Sequence, residues 1–276
     1  MSRLAQQFAL LKTQRRTALV TYAMAGDPAP WVTVPLMHAL VKAGANVLEL
    51  GMPFSDPMVD GPVIQRAAVR ALTQGVTLDQ VLGLVREFRT KDSTTPVVLM
   101  GYLNPIENLG YEAFADKAAA AGVDGVLIVD LPLEEADGML TALAGRRLDP
   151  IFLLAPTSRP ERIRAVARAA SGFIYYVSLR GVTGASHLNL GEVTEKMRTI
   201  RRLTDLPVGV GFGVGTPETA AAVANVADAV VVGSAVVSRM EQNATHPERL
   251  LIEVPAFVAS LRAAMDHTAR AASAGS

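Results

Sequence analysis

Eight short apolar runs, each followed by a longer stretch with helical spacing, predict an α/β chain folded as one (β/α)8 barrel. The runs cover residues 18–23, 46–50, 96–100, 125–129, 151–154, 173–177, 207–210 and 227–232. Several are continuously apolar and rich in Val, Ile and Leu, as parallel strands covered on both faces must be. Amphipathic stretches fill the intervals at 31–42, 65–72, 78–89, 111–121, 133–146, 159–170, 191–203 and 217–223. Gly and Pro sit at the junctions, as in Ala43-Gly-Ala45 and Leu131-Pro132, where one element stops and the next starts. Eight units favour closure of the parallel sheet; a doubly wound open sheet is the other arrangement that strict alternation allows. Segments too long for a single helix predict extra helices before the first strand, after the second strand and at the C-terminus. No linker divides the chain, so a single domain is expected over 1–268, with 269–276 as a flexible tail.

A length of 276 residues suits one such barrel. Lys and Arg total 26 and Asp and Glu total 26, so the formal net charge is zero. That balance argues against nucleic acid or an anionic membrane as a partner, because both require a basic footprint. The chain has no cysteine, which excludes disulfides, thiol catalysis and thiolate metal ligands. No apolar run approaches the roughly 18 residues needed to span a bilayer. The charged, helix-patterned N-terminal segment lacks the apolar block of a signal peptide, so a cytoplasmic location is expected.

In such a barrel the chemistry belongs to the C-terminal ends of the strands and the loops that follow. Glu49 interrupts the apolar run Asn46-Val-Leu-Glu-Leu-Gly51. An ionised carboxylate is costly to bury, so its pKa should rise into the range useful for proton transfer. A glutamate that escapes to solvent or pairs with an arginine is the ordinary alternative. The next loop, Pro53-Phe-Ser-Asp-Pro-Met-Val-Asp-Gly-Pro62, is stiffened by prolines and brings Asp60 toward the strand mouth. Asp56 and Asp60 are also ordinary turn and cap residues in that setting.

Three later segments resemble a phosphate cradle: Ser178-Leu-Arg-Gly-Val-Thr-Gly184, Gly209-Val-Gly-Phe-Gly213 and Val232-Gly-Ser-Ala235. Glycines let backbone N–H groups approach phosphate oxygens, and a following helix adds partial positive charge. None of Lys12, Lys42, Lys91, Lys117 and Lys196 falls at an expected strand end, which leaves Schiff-base chemistry without its amine. His38, His187, His246 and His267 are far apart and lie outside the expected strands, so no metal site is expected.

Nine motifs, in order along almost the whole chain, resemble those of the tryptophan synthase α subunit family. They are Tyr22-Ala-Met-Ala-Gly-Asp-Pro28, Leu48-Glu-Leu-Gly-Met-Pro-Phe-Ser-Asp-Pro57, Asp60-Gly-Pro-Val-Ile-Gln65, Met100-Gly-Tyr-Leu-Asn-Pro105, Val129-Asp-Leu-Pro132, Tyr175-Tyr-Val-Ser178, Gly181-Val-Thr-Gly184, Gly211-Phe-Gly213 and Val232-Gly-Ser-Ala235. The resemblance implies retro-aldol cleavage of indole-3-glycerol phosphate to indole and glyceraldehyde 3-phosphate. It implies Glu49 as acid and base, and Asp60 as the partner of the indole N–H. Tyr22, Met100, Leu127 and Phe212 would pack around the indole, Tyr175 and Thr183 would line the substrate site, and Gly184, Gly213, Gly233 and Ser234 would hold the phosphate. The family also implies a β subunit carrying pyridoxal phosphate, an α2β2 assembly with allosteric coupling, and no cofactor in this chain. Pro53, Asp56, Pro57, Asn104, Leu131 and Pro132 would face that partner.

Two residues depart from the family pattern: Met24 stands where Thr is usual, and Val59 where Ala is usual. A β-branched Val59 restricts the loop that carries Asp60. Three other readings stay open on sequence: a different phosphate-binding barrel enzyme, a non-catalytic allosteric barrel that binds a phosphorylated ligand, and a free-standing lyase that releases indole.

Overall fold

Nine short strands run parallel in one curled sheet among the described residues. They are β1 (Ala18–Met24), β2 (Val47–Gly51), β3 (Val97–Gly101), β4 (Gly125–Ile128), β5 (Asp149–Pro150), β6 (Leu153–Leu154), β7 (Ile174–Val177), β8 (Val208–Gly211) and β9 (Ala229–Val232). The computed structural model describes residues 1–178, 190–211 and 213–274, with side chains as far as residue 267. The order across the sheet is β5-β4-β3-β2-β1-β9-β8-β7-β6. Its two ends, β5 and β6, are consecutive pieces of the chain: β5 pairs with β4, and β6 pairs with β7. Between them the Ile151 N–H donates to the Val126 carbonyl at 2.9 Å, and the Phe152 carbonyl accepts from the Tyr175 N–H at 3.0 Å. One staggered strand thus bonds to each neighbour in turn and closes an eight-unit barrel. The fifth strand, expected over 151–154, begins two residues earlier and is split at this handover.

Twelve helices surround the sheet among the described residues: α1 (Arg3–Thr13), α2 (Pro30–Lys42), α3 (Pro62–Thr73), α4 (Leu78–Arg89), α5 (Leu103–Leu109), α6 (Tyr111–Ala121), α7 (Asp137–Gly145), α8 (Pro160–Ala169), α9 (Leu190–Arg201), α10 (Pro217–Ala224), α11 (Ser234–Gln242) and α12 (Pro247–Ala274). The extra helices fall before β1, after β2 and at the C-terminus, as expected. The short α5 was not legible, and the expected helix over 133–146 is a 3-10 turn, Leu133–Glu135, followed by α7. The α12 backbone continues to Ala274, so residues 269–274, expected as loose tail, extend a helix. Four of those six residues are Ala, the strongest helix former.

The core has two layers. Outward-facing strand residues such as Leu19, Leu48, Leu50, Leu99 and Val230 pack under the helices. Inward-facing residues such as Val20, Val47, Val98, Ile151 and Phe173 fill the barrel, where Leu4, Phe8 and Leu11 of α1 plug its lower end. Full burial of side chains of this size stabilises by about 1.5–3 kcal/mol each.

Polar side chains finish the lower rim. Asn46 sends its N–H to the Leu19 carbonyl at 2.8 Å, and its Oδ1 accepts the Leu19 N–H at 2.9 Å. Asp124 makes the same closed pair with Val97, at 2.9 and 2.8 Å. Asp228 repeats it with Val208, at 3.0 and 2.9 Å. In each pair a backbone N–H at the start of a strand (Leu19, Val97, Val208) is satisfied by a side chain. The N-terminal ends thus serve stability, and the C-terminal ends are left for chemistry.

Candidate active site

Strand alternation carries Glu49 into the barrel. Val47 belongs to the inner layer, and a residue two further along β2 points the same way. Glu49 is registered between Tyr22 on β1 and Val98 on β3 and is 2 % exposed. Its Oε1 has no hydrogen-bond partner among the described residues.

Above it a cavity of about 590 Å³ opens at the C-terminal strand ends. Its wall brings together Tyr22, Glu49, Asp60, Met100, Leu127, Tyr175, Gly213, Gly233 and Ser234. These are all the expected catalytic, substrate and phosphate residues that fall among the described ones. Thr183, Gly184 and Phe212 lie outside the described residues. A larger cleft of about 960 Å³ opens at the opposite end, beside α1 and α7, and carries none of the candidate residues.

Burial, and then the charge of Asp60, push the Glu49 carboxyl up to about 8. A proton held that firmly near neutrality suits an acid that must give it up and take it back. Burial also raises Asp60, but the Tyr102 hydroxyl opposes the shift by hydrogen bonding to the carboxylate. Tyr22 and Tyr175 are raised well above the ordinary phenol value by burial first. The charge of Asp60 and then of Glu49 adds to this at Tyr22, and that of Glu49 at Tyr175. Both phenols therefore stay protonated.

Inward-facing glycines make room for these rings. A Cβ on Gly51 would stand 2.1 Å from the Tyr22 hydroxyl oxygen, and one on Gly211 would stand 2.3 Å from that of Tyr175. The Tyr22 hydroxyl donates to the Met24 Sδ at 3.9 Å, so the departure at Met24 places a weak sulfur acceptor beside Tyr22.

The loop that carries Asp60 is held from two sides. Gln65 Nε2, in the first turn of α3, donates to the Asp60 carbonyl at 2.9 Å and to the Pro57 carbonyl at 3.3 Å. The Val59 N–H donates to the Tyr102 hydroxyl at 3.2 Å, and Phe54 stacks on the Tyr102 ring at 5.1 Å. Tyr102 is the functional residue that sequence reading missed, although it stands directly after β3 within the Met100–Pro105 motif. Val59 lines the cavity and is 57 % exposed. Val129, Leu153, Val177 and Val231 add an apolar lining that their positions on or just after the strands could have revealed, and Ile64 of α3 joins them.

At the other side of the mouth, Gly213 has φ +77°, a conformation in which glycine is favoured. The helix α11 opens at Ser234 with no side-chain cap on Gly233, and its first turn borders the cavity. That end offers backbone N–H groups and a partial positive charge to an anion.

The residues expected at a partner surface stand outside the cavity. Asp56, Asn104 and Pro132 are exposed, while Pro53 and Pro57 are half-buried. Leu131 is the most buried of them, 9 % exposed and packed against the outer core layer. Among the described residues no group of three His, Asp or Glu could hold a metal ion, and no helix is long and apolar enough to cross a membrane.

A (β/α)8 barrel with a proton-holding glutamate, a second carboxyl beside it and an anion-ready helix end is an acid–base barrel enzyme by class. The family described as "Tryptophan synthase alpha chain" matches residues 8–266. A tryptophan synthase alpha chain of Nitrosococcus oceani is 57% identical over 97% of this chain and 99% of its own length. That of Thioalkalivibrio sulfidiphilus is 57% identical over 96% of this chain and 100% of its own. Among solved structures, tryptophan synthase subunit alpha of Legionella pneumophila superposes with a TM-score of 0.90 at 45% identity, over 97% of this chain and 99% of that one. A chain from an aminoacrylate-bound tryptophan synthase of M. tuberculosis gives 0.85 at 36% identity, over 96% and 100%. The chain belongs to the tryptophan synthase alpha chain family.

Proposed function

We propose that this chain is a cytoplasmic carbon–carbon lyase that cleaves indole-3-glycerol phosphate to indole and glyceraldehyde 3-phosphate. The observation that carries the reading is the pair Glu49 and Asp60 in one cavity with the first turn of α11. Family membership supports the substrate.

Protonated Glu49 donates to ring C3, which makes the indole an iminium and hence an electron sink. The hydroxyl on C1′ then loses its proton to the Glu49 carboxylate and becomes the aldehyde. The C3–C1′ bond breaks and its electron pair returns to the ring; the proton Glu49 gave stays on C3 of the indole, and the hydroxyl proton has restored Glu49 to its acid form. Asp60, held by Tyr102 and the loop, stabilises the positive charge that develops at the indole N–H. Tyr175 lines the glycerol side, and Tyr22, Met100 and Leu127 form the apolar bed of the ring. Gly184, Gly213, Gly233 and Ser234 bind the phosphate, Thr183 lines the substrate site, and Phe212 packs on the indole.

The chain itself uses no cofactor. Its partner is a tryptophan synthase β subunit, in an α2β2 assembly with allosteric coupling, whose pyridoxal phosphate converts the indole to tryptophan. The exposed Asp56, Asn104 and Pro132 with Pro53 and Pro57 border the mouth that would meet it. The test is indole formation from indole-3-glycerol phosphate by the purified chain, alone and with a β subunit added. Slow cleavage alone and a large rise with the partner are expected. Fast cleavage alone would make it a free-standing lyase, and retained ligand binding without cleavage under either condition would make it a binding subunit.

A further inference from the structure

Arg70 of α3 grips the carboxylate of Asp27 with a two-pronged fork, Nε to Oδ1 at 2.6 Å and Nη2 to Oδ2 at 2.9 Å. Its remaining nitrogen, Nη1, reaches Oε1 of Glu241 on α11 at 2.7 Å. Glu241 is held again by a second fork from Arg66, at 2.7 and 2.8 Å. The Asp27 side chain is 0% exposed and that of Arg70 23%. Arg66 and Arg70 hold the Glu241 carboxyl down at about 2, and burial raises Asp27 against the pull of Arg70. The two guanidiniums and two carboxylates form one connected network.

The three elements joined in this way carry three parts of the site. Asp27 lies in the loop after β1, the strand that supplies Tyr22. Helix α3 begins directly after Asp60 and Gly61, and its first turn holds the Asp60 carbonyl through Gln65. Helix α11 begins at Ser234, in the cavity wall. A guanidinium that forks onto one carboxylate and reaches a second fixes orientation as well as distance, which a lysine ammonium cannot do. The exposed outer pair, Arg66 with Glu241, contributes little to overall stability. The network nevertheless joins the helix that carries the Asp60 loop to the helix end that faces the anion.

We propose that Arg70 and Glu241 are positioning residues that set the separation between Asp60 and the N-terminus of α11, so that phosphate binding and carboxylate geometry are linked through them. This inference rests on the cleavage reaction proposed above.

The test compares the full chain with Glu241→Gln and Arg70→Lys, using steady-state cleavage of indole-3-glycerol phosphate, binding of glycerol 3-phosphate and thermal unfolding. Arg146→Gln, which breaks an exposed ion pair to Asp116 at the α6–α7 surface, serves as control. Both test variants are expected to fold, to bind glycerol 3-phosphate more weakly, and to lose about 10- to 100-fold in kcat/KM through both KM and kcat. Combining them should cost little more than the worse single change, because the two residues act as one unit. The control should keep the parent's constants. Test variants that unfold at a lower temperature yet keep the parent's KM, kcat and glycerol 3-phosphate affinity would overturn the proposal. If the parent itself fails to cleave, the reaction reading falls. Glycerol 3-phosphate affinity then still decides the positioning role, and an unchanged value in Glu241→Gln refutes it.

Discussion

The Tyr102 hydroxyl accepts the backbone N–H of Val59 at 3.2 Å and also bonds to the Asp60 carboxylate, so one phenol at the end of β3 fixes both the loop and its acid. Removing the hydroxyl in Tyr102→Phe takes away the contact that lowers the Asp60 pKa, leaving burial to raise it unopposed. The acidic limb of the kcat/KM profile should therefore move to higher pH, with the ring stack on Phe54 preserved. Profiles of parent and variant measured across the acid range check this; superimposed acidic limbs would remove Tyr102 from the control of Asp60.

Glu49 makes stability depend on pH in a stated direction. The unfolded carboxyl titrates near the ordinary 4.5 and the folded one near 8. Between these values the folded chain keeps a proton that the unfolded chain has released. The stabilisation is therefore complete below about pH 4.5 and is lost as the pH rises through 8, at about 1.4 kcal/mol per pH unit. Glu49→Gln cannot ionise and should flatten this dependence, gaining on the parent most clearly above pH 8. Urea unfolding of both chains across that range measures the difference. Activity of the parent should fall over the same high-pH limb, since the acid form starts the reaction.

Gly211 leaves no room for a methyl group. Gly211→Ala places a carbon 2.3 Å from the Tyr175 hydroxyl oxygen and 2.8 Å from two ring carbons, so the ring must move. Overpacking of this kind costs about 1–3 kcal/mol. Denaturant unfolding should report that loss, and kcat/KM should fall with it because Tyr175 lines the cavity. A variant as active as the parent would show that the position of Tyr175 is immaterial to turnover.

The plug under the barrel should be separable from the chemistry. Phe8 is buried against Phe173 with ring centroids 5.7 Å apart, at the end remote from Glu49. Phe8→Ala should destabilise by about 3–5 kcal/mol. KM for the phosphorylated substrate should hold at temperatures where the variant is folded. Paired unfolding and kinetic measurements test both halves of that statement.

Local chemistry explains which parts were legible in sequence. The bounds of α4 agree with the expected 78–89 because Thr77 and Gln80 form a reciprocal cap at its start. Those of α6 agree because Gly122 ends it in a left-handed conformation. Glu49 was legible because a carboxylate in a continuously apolar run must be satisfied or titrated. The split of the fifth strand was hidden, since Asp149 and Pro150 are poor strand formers that belong to it only through pairing with β4. The burial of Leu131, at an element junction beside Pro132, is set by tertiary packing and has no signal in its local sequence. The ion network of Asp27, Arg70 and Glu241 joins residues far apart in the chain, so no spacing within a motif could announce it.

The central claim is that Glu49 moves the proton that breaks the C3–C1′ bond, and Glu49→Gln tests it most directly. The amide keeps the size of the side chain but can neither donate a proton to C3 nor accept the one the C1′ hydroxyl releases. Indole formation from indole-3-glycerol phosphate should fall by about 10²–10⁴-fold with the affinity for glycerol 3-phosphate retained. Turnover close to that of the parent would contradict the account and take Glu49 out of the mechanism.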